Sequence, residues 1–170
     1  TLARAGHAPA PAGAADLATL ARDAVERHRA EADERGVTVV VDGVSAPVAA
    51  DETLAGIAVG NLVENAIRHN RVGGAVRVAV TADARGVELA IENDGPQLTA
   101  VEAARLVEPF HRGEQTRLAG PGSGLGLTLA DAVARSLGAT LVLSPRDGGG
   151  LVARLAFPSR PAGGLGMPRV

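Results

Sequence analysis

The chain lacks cysteine, tryptophan and tyrosine, and two phenylalanines are its only aromatic residues. Without cysteine there are no disulfides and no thiolate metal sites, and the four histidines are not at zinc-like spacing. So few aromatics exclude a surface that stacks nucleic-acid bases. The formal net charge of −2 provides no broad basic face, and no apolar run has the ~20 residues of a membrane helix. We therefore predict neither a nucleic-acid partner nor direct membrane contact.

The 170 residues suit one domain of ordinary size. Residues 1–13 are rich in Ala, Gly and Pro and are predicted to be a linker. We expect the domain over residues 14–158 and a loose tail over 159–170. Because the chain begins with Thr1 rather than Met, we expect it to be a fragment or a processed product.

Hydrophobic periodicity and turn residues define the predicted elements. Helices are predicted over 16–35, 51–69, 99–107 and 124–137, and strands over 37–41, 47–49, 75–82, 87–92, 139–144 and 151–157. This order predicts an α+β fold: a two-layer α/β sandwich in which a mixed, mostly antiparallel sheet of about five strands packs on three helices.

Asn61, Asn65 and Arg68 are spaced i, i+4 and i+7, so they share one face of a predicted helix. The opposite face is apolar and should pack on the sheet, through Val59, Leu62, Val63 and Ala66. Amide oxygens are hard ligands of the kind Mg²⁺ accepts, and an arginine one turn further can meet a phosphate. The alternative is a solvated helix face with two incidental asparagines.

Two glycine-containing blocks follow. Asn93-Asp94-Gly95-Pro96 comes directly after a strand, and we interpret it as a turn beside a pocket or as a plain turn. Gly122-Ser123-Gly124-Leu125-Gly126 opens a helix in which Leu125, Leu129, Val133 and Leu137 recur at helical spacing. Glycines before a helix N-terminus favour phosphate binding, although a flexible linker has a similar composition.

Together with Glu108–Arg112, these blocks resemble the N, G1, F and G2 boxes of sensor histidine kinases, in an actinobacterial-type variant. That ATP-binding domain belongs to the GHKL group and has the Bergerat fold. The resemblance covers residues 16–158. It implies a site for ATP and Mg²⁺, with Asn65 as the metal ligand. The implied ATP-binding residues are Asn61, Asn65, Arg68, His69, Asn93, Gly95, Phe110, Arg112, Arg117, Gly122, Ser123, Gly124, Leu125 and Gly126.

The resemblance also implies particular roles. Asn93 stands where the family has an Asp that accepts the adenine amino group, and an amide oxygen can accept the same bond. His69 lies near the nucleotide or simply ends its helix. Residues 110–122 correspond to a lid in which Phe110 is the anchor, while Arg112 and Arg117 reach the triphosphate or remain solvated.

Hydrolases of the GHKL group have a glutamate general base four residues before the metal-binding Asn. Here that residue is Asn61, so hydrolysis should be slow. No histidine lies in the family's phosphoacceptor pattern. The resemblance therefore implies a protein histidine kinase domain that donates the γ-phosphate of ATP to a separate dimerisation domain, which then serves a response regulator. Its location would be the cytoplasmic part of a membrane-anchored parent. The alternatives are a Ser/Thr kinase of the anti-sigma type and a degenerate nucleotide-binding adaptor.

Overall fold

The computed structural model describes residues 13–109 and 124–159. The helices are α1 (Leu17–Arg27), α2 (Arg29–Glu34), α3 (Glu52–Arg68), α4 (Ala100–Arg105) and α5 (Gly126–Ser136). The strands are β1 (Ala14–Asp16), β2 (Thr38–Gly43), β3 (Pro47–Ala49), β4 (Ala75–Asp83), β5 (Gly86–Asn93), β6 (Thr140–Pro145) and β7 (Leu151–Pro158).

Five of these strands form one sheet in the order β2-β4-β5-β7-β6. Strand β2 runs parallel to β4, and the other three pairs are antiparallel. Strands β1 and β3 pair separately in an antiparallel manner. The prediction of a mixed, mostly antiparallel sheet of about five strands in an α+β fold is confirmed.

One face of the sheet is apolar because strand residues alternate in direction. In β5, Leu89 and Ile91 are buried against the helices, and Leu155 of β7 pairs with Leu89. The opposite face bears ion pairs, such as Arg154–Glu88 with an N···O distance of 3.6 Å. The core therefore lies in a single layer between sheet and helices. Helix α3 buries the predicted apolar face, Val59, Leu62, Val63 and Ala66.

Helix α3 begins and ends as predicted. The Asp51 side chain accepts a hydrogen bond of 2.8 Å from the Leu54 N–H, and His69 takes the C-cap position. Helix α4 begins with a capping box in which the Thr99 and Glu102 side chains each accept a bond from the other's backbone N–H. None of the described helices is both long and apolar enough to cross a bilayer.

Two details of the helices differ from the sequence interpretation. The predicted helix over 16–35 is two helices, because the backbone of His28 leaves helical dihedral angles, with φ −103° and ψ 10°. Leu125, at the N-cap position of α5, and Leu129 within this helix are exposed, although they share a helical spacing with Val133. Small residues allow α5 to pack closely on its neighbours, and its buried positions are Leu127, Ala130, Val133 and Ala134.

Candidate nucleotide-binding site

Asn61 lies where α3 meets the start of α5. Its Nδ2 donates a hydrogen bond of 2.8 Å to the carbonyl oxygen of Ile57, one turn earlier. Its Oδ1 would lie only 3.2 Å from a Cβ placed on Gly126. The amide oxygen of Asn61 is therefore presented at the N-terminus of α5, and a larger side chain at residue 126 would crowd it.

Asn65 and His69 continue this face of α3. The Asn65 side chain is partly exposed and makes no hydrogen bond to any of the described residues. The carbonyl oxygen of His69 would lie 3.3 Å from a Cβ on Gly95. The eight-residue step from Asn61 to His69 spans about 12 Å of helix axis. Helix α3 thus connects the start of α5, which we call the phosphate end, to the turn at Gly95, which we call the base end.

The Arg68 side chain forms ion pairs with two glutamates. Its guanidinium lies 2.6 Å from an Oε of Glu64 and 3.4 Å from an Oε of Glu31. Glu31 belongs to α2, so these contacts draw the side chain toward that helix. Contact between Arg68 and a phosphate would require release from both carboxylates, and the predicted phosphate contact stays a prediction.

The phosphate end has an uncapped helix start. Gly124 has a φ of 67°, a left-handed conformation that favours glycine, and Leu125 at the N-cap position of α5 offers no side-chain hydrogen bond. By contrast, side chains of Asp16, Asp51 and Thr99 cap α1, α3 and α4. The first backbone N–H groups of α5 are therefore suited to an anion.

Asn93 forms the base end. It is the last residue of β5, and alternation with Leu89 and Ile91 turns its buried side chain toward the helices. Its Nδ2 donates a 3.0 Å hydrogen bond to the carbonyl oxygen of Asp94. This bond orients the amide, so that Oδ1 is the atom left to accept a bond from a ligand.

The turn after β5 packs against the β6–β7 turn, a contact that the sequence analysis did not anticipate. The N–H of Gly150 donates a 2.9 Å bond to the carbonyl oxygen of Pro96. A Cβ on Gly150 would collide with the Asn93 carbonyl oxygen, and one on Gly149 would collide with that of Gly95. The run Gly148-Gly149-Gly150 between two predicted strands is the signal in the sequence that could have indicated this close packing.

The described residues contain no group of three or more His, Asp or Glu side chains that could hold a metal ion. A divalent cation in this site would depend on the amide oxygens of Asn61 and Asn65 together with phosphate oxygens. That donor set fits Mg²⁺, a hard cation that takes oxygen ligands. The other predicted site residues lie outside the described part of the chain: Phe110, Arg112, Arg117, Gly122 and Ser123.

Comparison with known proteins tests the predicted family. Residues 50–161 match the family model described as "Histidine kinase-, DNA gyrase B-, and HSP90-like ATPase". The sensor protein CutS of Streptomyces coelicolor is 39% identical over 145 residues, 84% of this chain and 35% of CutS. The sensor-like histidine kinase SenX3 of Mycobacterium tuberculosis is 32% identical over 146 residues, 85% of this chain and 36% of SenX3.

Solved structures agree with this assignment. The mycobacterial sensor histidine kinase MprB has 27% identity and a TM-score of 0.74, over 87% of this chain and 97% of that chain. The chain spans about a third of the length of the curated relatives it matches. It belongs to the histidine kinase-, DNA gyrase B- and HSP90-like ATPase family, and its actinobacterial relatives are sensor histidine kinases.

Proposed function

We propose that this chain is the ATP-binding catalytic domain of a two-component sensor histidine kinase. The observation that carries the proposal is the orientation of two amides at opposite ends of the site. Asn61 and Asn93 each donate through Nδ2 to a backbone carbonyl, so each presents its oxygen. An oxygen at the base end accepts from the adenine amino group, and oxygens at the phosphate end suit a cation on a triphosphate.

The chain's own residues would hold ATP rather than hydrolyse it. Asn65 would hold Mg²⁺, which neutralises charge on the phosphates when bound, and the start of α5 would bind phosphate oxygens. An imidazole nitrogen of a separate phosphoacceptor domain would bond to the γ-phosphorus. The bond from that phosphorus to the β–γ bridging oxygen would break, and ADP would leave. The phosphoryl group would then pass from this histidine to a response regulator. Asn61 cannot act as a general base, so transfer to water should be slow.

The phosphoacceptor domain must reach the phosphate end, and exposed apolar side chains lie there. Leu129 is 47% exposed on α5, while Leu125 precedes Gly126 and Ile57 lies one turn before Asn61. These three residues, which we call the apolar rim, would dock the domain that carries the histidine. The names of SenX3 and MprB as histidine kinases support a histidine target over the Ser/Thr kinase alternative.

Calorimetry with ADP, in Mg²⁺ and in EDTA, tests the nucleotide site. We expect saturable binding that is tighter with Mg²⁺. Absence of heat and of any thermal shift at millimolar nucleotide would leave only the adaptor alternative.

Transfer is tested by mixing the chain, [γ-³²P]ATP and a separately expressed phosphoacceptor domain of the same protein. Acid-labile label should appear on that domain and not on the chain alone. Leu129→Glu should reduce transfer about tenfold or more without changing ADP affinity. Val142→Glu is the matched control, because Val142 is 52% exposed but lies on the edge strand β6. Equal losses from both variants would contradict docking at the apolar rim, and acid-stable label on Ser or Thr would favour the anti-sigma alternative.

A further inference from the structure

The Asp94 carboxylate is the most enclosed charged group beside the site, and the proposed chemistry does not use it. Its side chain is only 9% exposed, although it follows Asn93 directly. A carboxylate in such a place is costly unless charges and hydrogen bonds compensate it. The groups that surround Asp94 therefore indicate what it does.

Backbone and arginine groups compensate the charge. One carboxylate oxygen accepts a 2.9 Å hydrogen bond from the Ala75 N–H, and the other lies 3.0 Å from Nη1 of Arg146. Arg71 and Arg77 approach only to 3.5 Å and are much more exposed. Burial alone would raise the pKa of Asp94, but the Ala75 hydrogen bond and the charges of Arg146 and Arg77 outweigh it and lower the pKa. Arg146, only 25% exposed, is the dominant ionic partner.

Arg146 ties Asp94 to the β6–β7 turn. Its N–H donates a 2.9 Å bond to the Gly150 carbonyl oxygen, and its Nη1 donates a 3.2 Å bond to that of Gly149. The same turn returns to the base end through the bond from the Gly150 N–H to Pro96. The Asp94–Arg146 pair therefore helps to hold the two turns together.

Asp94 also fixes its neighbour from the backbone. The Asp94 carbonyl oxygen accepts the Asn93 Nδ2 bond, and the Asp94 N–H donates a 3.1 Å bond to the Ala75 carbonyl oxygen. Asn70 donates to that Ala75 oxygen as well, at 2.9 Å, and so connects the network to the end of α3. Any movement of Asp94 would move the amide that presents Oδ1.

We propose that Asp94 is a positioning residue for base recognition: it does not touch the nucleotide, but it holds the Asn93 amide where its oxygen meets the amino group of adenine. This inference rests on the proposed function, because it requires Asn93 to contact the base. Asn93 would contact the ligand through its neutral amide, and Asp94 would hold the turn through its paired carboxylate.

The test compares ADP with IDP, which has a carbonyl oxygen in place of the amino group. Calorimetry should show that the wild-type chain binds ADP about five- to tenfold more tightly than IDP, which is the effect expected of one hydrogen bond. Asp94→Asn should bring the ratio of ADP affinity to IDP affinity close to one. The increase in ADP affinity with Mg²⁺, which depends on the phosphate end, should be retained. Asp83→Asn is the control, since Asp83 is an exposed aspartate at the end of β4. Its ratio should match that of the wild type.

A double-mutant cycle separates positioning from other roles. In the Asn93→Ala background, Asp94→Asn should cause no further change in the ratio. If Asn93→Ala kept the preference and Asp94→Asn lost it, Asp94 would contact the base itself and the inference would be wrong. An equal loss of affinity for ADP and IDP, with the ratio kept, would mean a structural role only and would also overturn it.

Folding must be verified for each variant by thermal unfolding. If Asp94→Asn does not fold, Arg146→Met removes the same ion pair from the other turn and should give the same collapse of the ratio, while an unchanged ratio would overturn the inference. A wild-type chain that binds no ADP would instead refute the proposed function. A wild type that prefers ADP, with a folded Asp94→Asn variant that prefers it equally, would refute only the positioning role.

Discussion

The base end and the phosphate end of the site are built in different ways. At the base end, Asn93 and Asp94 are buried, and hydrogen bonds, ion pairs and close glycine contacts leave little freedom. At the phosphate end, Asn61 and Asn65 are partly exposed on a helix, and α5 starts without a side-chain cap. The base end is thus organised before a ligand arrives. The phosphate end presents polar groups whose remaining partners would come with the ligand.

The largest expected effect is on the packing of the base end. Gly150→Ala should lower the free energy of unfolding by about 3–5 kcal/mol, because its Cβ would collide with the Asn93 carbonyl oxygen and Gly150 has a φ of 109°. Gly138→Ala is the control: its φ is 72° and nothing lies within 4 Å of its Cβ position, so it should cost only about 1–2 kcal/mol. Urea denaturation measures both. Similar losses in the two variants would mean that the two turns can separate freely.

The next largest effect concerns Mg²⁺-dependent ADP binding, which we expect to depend on the amides of the phosphate end. Asn65→Ala should abolish most of the Mg²⁺ dependence of ADP binding, about 1.5–3 kcal/mol of binding free energy, since one oxygen ligand is lost. Stability should hardly change, because the side chain makes no hydrogen bond within the described residues. Thr53→Ala, an exposed change in the first turn of the same helix, is the control for calorimetry. Undiminished Mg²⁺ dependence would assign the metal to other residues.

The smallest effect concerns the charge of Asp94. Because its pKa is lowered in the folded state, its carboxylate stabilises the fold above the ordinary carboxyl pKa of about 3.9, and this contribution is lost as the pH falls through the lowered pKa. At pH 7, Asp94→Asn should be less stable than the wild type by about 1–3 kcal/mol. The difference should shrink below about pH 4, and urea denaturation across this range measures it. A constant difference would indicate that packing, not charge, is responsible.

Much of the fold could be predicted from local patterns. The helix over residues 51–69 and the apolar face of α3 could be predicted because helix caps and periodicity act over a few residues. Strands β4 and β5 could be predicted because each alternates over a short stretch of the chain, and the structure pairs them as antiparallel neighbours. The parallel pairing of β2 with β4 and the short strand β1 were not predicted, since both depend on partners distant in sequence.

The candidate site also has features that local sequence patterns predict and features that depend on distant contacts. The amino-acid sequence alone predicted which residues would carry the chemistry, since the spacing of Asn61 and Asn65 places two amides on one helix face. The order of the blocks identified the family. Only the three-dimensional structure showed which atoms those residues present, because the amides of Asn61 and Asn93 are oriented by hydrogen bonds to nearby carbonyl oxygens. The Asp94–Arg146 pair and the packing of Gly150 on Asn93 arise from contacts between segments some fifty residues apart. No local pattern encodes such contacts, because their energy depends on where the sheet brings the two turns together.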